Sequence, residues 1–120
     1  MSTYIDGFVI PVAKKNLKAY WAIARVAKKV WLEHGALAYV ESVGEDLDLG
    51  FGRGFPAIAE CGRGETVVFS WITYKSRAHR DRVNKKVMAD PRMAKVCDPK
   101  KMPFDPNRMA CGGFKAVVEG

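Results

Sequence analysis

Apolar side chains recur at two different spacings along the chain, and these spacings predict the order of its strands and helices. YIDGFVIPV, residues 4–12, is typical of a strand that ends near Pro11, because proline has no N–H to donate to a strand ladder. From Lys14 to about His34, apolar residues return about every 3.6 residues with basic residues on the opposite side, which predicts an amphipathic helix. Gly35 is placed to end this helix.

The middle of the chain predicts three further strands and a loop. Residues 36–44, ALAYVESVG, indicate a second strand through their Tyr and Val content. Closely spaced glycines and a proline within residues 45–56 predict a loop, since these residues interrupt regular structure. Residues 57–61 are predicted as a short strand, joined by a glycine turn to a long central strand, TVVFSWITY (66–74), so that the two form a hairpin.

Residues that favour helix ends predict where helices begin and end in the second half of the chain. Ser76 is suited to cap the N-terminus of a second helix that runs to about Ala89. Asp90 and Pro91 end this helix and begin a further helical turn, because Asp favours the N-cap position and Pro the first helical position.

The remaining elements complete one α+β fold. Asp98 and Pro99 repeat the signal for a helical turn, and residues 108–118 are predicted as the last strand, with a bulge or a close approach at their two glycines. The order strand, helix, strand, strand, helix, strand is that of the ferredoxin-like βαββαβ fold, a four-stranded antiparallel sheet with two helices on one face. We expect a single domain over residues 1–120, since the chain has 120 residues.

Both faces of the predicted sheet are largely apolar. In the long strand Val67, Phe69 and Trp71 point one way, and Val68 and Ile72 point the other way. A solvated face would be polar at alternate positions, so the face without helices, on the order of 350 Å² in area, should be covered. A homodimer in which the two open faces pack together is the economical solution, because two-fold dimers are the commonest oligomers.

A few polar side chains interrupt the apolar rows and form the candidate ligand-binding site. We expect the purely apolar rows to lie against the helices, which places Asp6 and Ser70, together with Tyr39 and Glu41, on the open face. A space lined by aromatic rings and few polar groups is typical of a small-molecule pocket, in which Asp6 and Glu41 could act as an acid and a base. The alternative is that these groups are hydrogen-bonded at a subunit interface or near a strand end.

Composition restricts the compartment and the chemistry. No apolar run approaches the roughly 20 residues of a membrane span, and the first residues do not resemble a signal peptide, so we expect a cytoplasmic protein. Cys61, Cys97 and Cys111 contain no CxxC pair and predict free thiols. We predict neither a metal site nor a cofactor, and the sequence leaves open whether the protein is an enzyme.

The net charge of +7 admits a different class of function, a non-enzymatic nucleic-acid-binding or regulatory module. The basic residues between Arg77 and Lys86 instead favour the solvated side of the second helix. TVVFSWITY lacks the signature of RNA-recognition modules, and GFGRG (50–54) is not followed by the helix that a phosphate-binding glycine loop opens. Nucleic acid is therefore not favoured as a partner.

Short segments in order along essentially the whole chain resemble the small bacterial YbaA-like family of unknown function. They are YIDGFV (4–9), HGAL (34–37), ETVVFSW (65–71), VMADPRM (87–93), MPFD (102–105), RM (108–109) and GGF (112–114). The resemblance implies the dimeric α/β-barrel superfamily, in which ferredoxin-like subunits pack sheet to sheet, but it implies no catalytic residue. Superfamily relatives include haem-degrading enzymes that use a helix histidine as a ligand, which makes His79 a further candidate; the alternative is an ordinary helix histidine.

Two classes of function remain open. We expect a cytoplasmic homodimer that binds or transforms a small hydrophobic or aromatic molecule in a cavity between sheet and helices, as cofactor-free oxygenases or isomerases of the superfamily do. The alternative is the nucleic-acid-binding, regulatory or interaction module. The expected ligand-binding residues are Asp6, Tyr39, Glu41, Ser70 and His79.

Overall fold

The computed structural model describes residues 3–120, and this part of the chain contains four strands and four α-helices. The strands are β1 (Tyr4–Ala13), β2 (Ala38–Val43), β3 (Glu65–Tyr74) and β4 (Ala110–Lys115). The helices are α1 (Leu17–Glu33), α2 (Phe55–Ile58), α3 (Arg77–Met88) and α4 (Pro91–Val96). Short 3-10 turns lie at Lys14–Asn16 and Pro106–Arg108. Within residues 3–120, every helix is too short or too polar to cross a bilayer.

The strands form one antiparallel sheet in the order β2-β3-β1-β4, with β3 and β1 at its centre. α1 connects β1 to β2 across β3, and α3 connects β3 to β4 across β1, so both helices return over the same face. The predicted α+β, ferredoxin-like βαββαβ fold is confirmed. α2 and α4 are additions to it.

α1 forms because its apolar residues repeat at helical spacing and face the sheet. Tyr20, Ala24, Ala27 and Val30 are its buried residues, three or four positions apart. Two of these are alanines, whose short side chains leave space between the helix and the sheet. Gly35 adopts a φ of 115°, a left-handed conformation that glycine tolerates, and the chain leaves the helix there as predicted.

Side-chain caps begin α3 and α4 at the predicted residues. The Ser76 hydroxyl accepts a hydrogen bond from the backbone N–H of His79 at 3.1 Å. The Asp90 carboxylate accepts one from the backbone N–H of Arg92 at 2.9 Å, and Pro91 occupies the first turn of α4. Both helix starts are set by local chemistry.

The predicted strand over residues 57–61 is wrong. α2 (Phe55–Ile58) includes the first two of these residues, and the backbone N–H of Ala57 donates to the carbonyl of Gly54. Pro56 lies in the first turn of this helix, where its fixed φ is already helical and its missing N–H costs nothing. No hairpin therefore precedes β3 in the part of the chain that the structure describes.

Two predictions near the C-terminus are also corrected. Asp98 and Pro99 do not begin a helix, because the Asp98 carboxylate accepts the N–H of Lys100 at 3.0 Å and closes a turn. β4 is shorter than residues 108–118 and pairs with β1 without a bulge. The predicted close approach is present, since a side chain at Gly113 would overlap the ring of Tyr4.

The predicted assignment of the two sheet faces is wrong. Asp6 and Ser70, 7% and 4% exposed, lie on the face beneath the helices with Ile10 and Val68. Phe69, in the opposite row, is 42% exposed on the face without helices. Charged groups can occupy the helix face because the covering helices supply hydrogen-bond donors: Arg80 of α3 donates to Asp6, and Tyr20 of α1 donates to Glu41.

The register also places Tyr39 and Glu41 on the helix face. Tyr39 lies opposite Ile72 and Glu41 lies opposite Ser70, and directly opposed residues share one face of a sheet. The prediction that these two side chains are on the open face is therefore wrong, for the same reason as for Ser70.

Glu65, the first residue of β3, is bound by Arg108 and by the backbone of Gly62. Arg108 donates two hydrogen bonds to its carboxylate, at 2.7 and 2.8 Å, and the Gly62 N–H donates one at 2.7 Å. These contacts, with those from Arg108 the largest, lower the pKa of Glu65 to about 2. The hydrogen bonds from Arg108 connect the start of β3 to the segment that precedes β4.

Glu65→Gln is expected to lower the thermal unfolding midpoint at pH 7 by about 1–3 °C. The folded-state pKa of about 2 is below that of the unfolded glutamate, so the stabilisation is present above roughly pH 4.3 and is lost as the pH falls through about 2. Calorimetry from pH 7 to pH 2 measures the difference, with Glu60→Gln as a control at an exposed side chain. A difference between the unfolding midpoints of the wild type and Glu65→Gln that does not change with pH would contradict the stabilising role assigned to the Glu65 carboxylate.

Candidate cavity between the sheet and the helices

A cavity of about 220 Å³ lies between the sheet and the helices. Its walls come from β1, β2, β3, α1, α4 and the segment that precedes β4. They consist of apolar, aromatic and sulfur-containing side chains, with one serine and one charged residue among the described lining residues. These are Phe8, Ile10, Tyr20, Ile23, Ala24, Ala27, Trp31, Tyr39, Glu41, Ser70, Ile72, Met93, Cys97, Met102, Phe104 and Met109.

Glu41 is the charged group of this cavity, and two tyrosines hold it. The Tyr20 hydroxyl of α1 donates to Oε1 at 2.7 Å, and the Tyr39 hydroxyl of β2 donates to Oε2 at 2.7 Å. Tyr39 and Glu41 are two positions apart on one strand, so their side chains leave the sheet on the same side. Each carboxylate oxygen therefore has one neutral donor and retains capacity for another.

Burial keeps both tyrosines protonated. Burial first, and the Glu41 carboxylate second, raise the pKa of Tyr20 and of Tyr39 well above its ordinary value. Their hydroxyl protons therefore stay in place through neutral pH and continue to donate to Glu41. The arrangement positions a carboxylate without supplying it with a counter-charge.

Ser70 lies beside Glu41 on β3 and presents a second polar atom to the cavity. It is 4% exposed, and its position is fixed by pairing with Phe8 on one side and Glu41 on the other. Its hydroxyl can both donate and accept a hydrogen bond, so it offers a polar contact to a ligand in the cavity.

The segment between α4 and β4 forms part of the cavity wall. It contributes Met102, Phe104 and Met109 to the wall. The ring of Phe104 meets that of Tyr20 edge-on, with centroids 5.5 Å apart, and the Asn16 side chain donates to the carbonyl of Pro103 at 3.2 Å. The wall is thus attached to the start of α1.

Asp6 lies outside the cavity and has its own partner. Its carboxylate accepts a hydrogen bond from Arg80 Nη1 of α3 at 2.6 Å, and both side chains are mostly buried. The guanidinium also lies 4.9 Å from the centroid of the Tyr4 ring. β3 separates the strand of Asp6 from that of Glu41, so the predicted acid and base are two strands apart.

His79 also lies outside the cavity. Its Nδ1 accepts a hydrogen bond from the backbone N–H of Lys75 at 3.0 Å, and its ring meets Tyr74 edge-on. Partial burial and the nearby positive charges of Lys75 and Arg82 lower the pKa of His79. Within residues 3–120, no three His, Cys, Asp or Glu side chains are grouped to hold a metal ion.

Three of the five predicted site residues, Tyr39, Glu41 and Ser70, line one cavity, whereas Asp6 and His79 do not. The sequence analysis did not include Tyr20, which binds Glu41. The only signal for Tyr20 was its place in the inner stripe of α1, which it shares with ordinary core residues. Phe104 gave no signal, because the turn-rich segment around it has no regular period.

A second, larger depression of about 720 Å³ lies on the open face of the sheet. It is broad and open to solvent. Ile5, Val9, Phe69, Trp71 and Phe114 form most of its apolar floor. Its described lining residues include no carboxylate, His, Lys or Arg, so it offers mainly apolar contact area, with the hydroxyls of Thr3 and Thr73 among its few polar groups.

Asp6→Asn is expected to destabilise the fold by about 2 kcal/mol, because the largely buried Arg80 would lose its buried carboxylate and keep only an exposed one. Urea unfolding measures the change. Asp81→Asn is a matched control, since Asp81 also accepts from Arg80 at 2.8 Å but is 61% exposed, and it should cost about 0.5 kcal/mol or less. Equal losses in the two variants would contradict a buried ion pair at Asp6.

Comparisons with known proteins identify relatives over nearly the whole chain. The model of the family described as "Protein of unknown function (DUF1428)" matches residues 3–106. The uncharacterized protein YbaA of Escherichia coli strain K12 is 40% identical over 116 residues, which are 97% of this chain and 97% of that protein. YbaA of Shigella flexneri is similar to the same extent.

Among solved structures, a NIPSNAP family protein of unknown function from Agrobacterium tumefaciens has a TM-score of 0.60 at 14% identity. The alignment covers 95% of this chain and 87% of that one, and it supports the fold alone. With the family model matched over most of the sequence and YbaA 40% identical, this chain belongs to the YbaA-like family of unknown function, DUF1428.

Proposed function

We propose that this protein binds a small, mostly apolar molecule carrying a hydrogen-bond donor in the cavity between the sheet and the helices. The observation that carries the proposal is Glu41, a carboxylate positioned by Tyr20 and Tyr39 within otherwise apolar walls. Ligand sites typically combine apolar walls, which supply affinity, with a few polar groups, which fix orientation.

The volume restricts the size of the ligand. At about 220 Å³ the cavity is smaller than the roughly 300–1,000 Å³ of drug-sized sites. It suits a single aromatic ring with a short substituent. The free acceptor capacity of Glu41 and the hydroxyl of Ser70 lie at its polar end, so the substituent should carry the donor.

We place the function in a homodimer that packs through the open sheet face. Phe69 and Phe114, 42% and 62% exposed, lie in an apolar depression on that face. Exposed apolar surface of this extent marks an interaction site in soluble proteins. A second copy is the fitting occupant, because an apolar face without charges is complementary to itself.

The area of the face approaches what a stable dimer requires. Strands about 4.8 Å apart with a rise of about 3.3 Å per residue give the sheet a face of roughly 500 Å² in projection. Two such faces, with the relief of their side chains added, approach the roughly 1,200–2,000 Å² buried by stable interfaces. Packing sheet to sheet would leave the inner cavity of each copy under its own helices.

The cysteines support a cytoplasmic location for this dimer. Cys61, Cys97 and Cys111 are all free thiols in the structure. Free thiols are usual where the compartment keeps cysteines reduced.

Phe69→Glu is expected to convert the dimer to a monomer, because it places a charge in the apolar interface of both copies. Light scattering coupled to size-exclusion chromatography measures the mass. Leu32→Glu is the matched control, since Leu32 on α1 is 39% exposed, close to the 42% of Phe69, but lies on a helix. It should leave the dimer intact. A monomeric wild-type protein would overturn the proposed assembly.

Benzyl alcohol, a single ring with one hydroxyl donor, is expected to bind in the cavity of the wild-type protein. Titration followed by ¹H–¹⁵N correlation spectra should give saturable shifts clustered at residues of the lining. Ala24→Leu should weaken binding at least about tenfold, because its larger side chain occupies space in the cavity.

Ala22→Leu is the control for that substitution, since Ala22 is exposed on the same helix. It should bind benzyl alcohol as the wild type does. A thermal unfolding scan of each variant shows whether it is folded. Absence of shifts at the lining residues, or equal binding by Ala24→Leu, would contradict the proposed ligand site.

A further inference from the structure

The Glu41 carboxylate has no positive partner in the protein. Within residues 3–120, no Lys, Arg or His forms an ion pair with it, although basic groups are paired with Asp6, Glu33, Glu65 and Asp90. Both of its side-chain donors are tyrosine hydroxyls, which are neutral. The carboxylate is therefore held in place while its charge is left unmatched inside an apolar cavity.

The aromatic walls favour the same kind of partner. Five rings line the cavity, those of Phe8, Tyr20, Trp31, Tyr39 and Phe104. The face of an aromatic ring is electronegative and attracts a cation, and several rings together form the cages that bind ammonium groups in proteins. Aromatic side chains and one carboxylate are thus complementary to a positive group on an apolar body.

Ser70 supplies a third contact for such a group. It lies directly across the ladder from Glu41, is 4% exposed, and lines the cavity. Its oxygen can accept from an ammonium N–H beside the one that Glu41 accepts. A cation with two or three N–H groups would satisfy both residues.

A metal ion does not fit these surroundings. Hard cations such as Ca²⁺ and Mg²⁺ require about six oxygen ligands, whereas the described lining offers the oxygens of Glu41, Ser70 and the two tyrosines. The rest of the wall is hydrocarbon and sulfur, which suits an organic body. An organic cation uses both parts of the cavity.

We infer that the cavity takes a small organic cation, a protonated amine on an apolar or aromatic body, with its nitrogen between Glu41 and Ser70 and its body against the aromatic rings. This rests on the proposed function, because it names the ligand class of the same cavity. The ion pair would form among mostly apolar side chains, where charge-assisted hydrogen bonds exceed neutral ones in strength.

The test compares benzylamine, which is an ammonium at pH 7, with benzyl alcohol, which has the same shape without the charge. In the wild-type protein the amine is expected to bind about tenfold more tightly than the alcohol. Glu41→Gln keeps the shape and the acceptor oxygen but removes the charge, so the two probes should bind alike. Glu45→Gln, which removes a charge from an exposed residue, should keep the wild-type preference.

The outcomes separate this inference from the proposed function. If both probes bind the wild-type protein saturably with equal affinity, the inference of an organic cation is overturned, and the proposal of a ligand-binding cavity is still supported. If neither benzylamine nor benzyl alcohol binds, the organic-cation inference and the proposed function are both overturned. A preference for the amine that survives Glu41→Gln would also overturn the inference, since the charge responsible would lie elsewhere. The comparison within the wild type requires no variant to fold.

Discussion

β3 is hydrogen-bonded to β1 on one edge and to β2 on the other, and this double pairing fixes which side chains meet beneath the helices. It sets Ser70 opposite both Phe8 and Glu41, so three strands contribute to one end of the cavity. A slip of one residue between β2 and β3 would turn Glu41 to the open face and away from Tyr20. The polar end of the cavity thus depends on strand register before it depends on any side-chain contact.

The space itself depends on α1. Ala24 and Ala27 face the sheet where larger side chains would fill the gap, while Tyr20, on the same stripe, reaches across to Glu41. A core optimised only for stability would close such a space, because unfilled volume loses packing contacts. Retaining both a cavity and a carboxylate within it is typical of a site where function, rather than packing, determines the residues.

Much of the fold could be predicted from the sequence, because its signals are local. Ser76, Asp90 and Gly35 mark helix ends through contacts within a few residues, and they do so in the structure. The faces of the sheet could not be assigned in this way. Phe69 and Ser70 alternate in any strand, and which of them is covered depends on helices that pack from a distance along the chain.

The candidate site shows the same division between local and distant information. Tyr39 and Glu41 were found because polar residues in an apolar strand are conspicuous. Tyr20 and Phe104 were missed because their role exists only when α1 and the segment before β4 meet over the sheet. Asp6 was equally conspicuous in its strand, but its polar partner is Arg80, far along the chain, and the pair lies outside the cavity.

The sulfur-containing wall of the cavity bears on the selectivity of the proposed ligand site. Met93, Met102 and Met109 line it, and methionine side chains are flexible enough to repack around bodies of different outline. Glu41, held at both oxygens, cannot adjust in the same way. Discrimination among ligands would therefore depend on the hydrogen bond to Glu41. The flexible methionine wall would accept apolar bodies of different shapes. A series of related molecules, rather than one compound, would then fit the cavity.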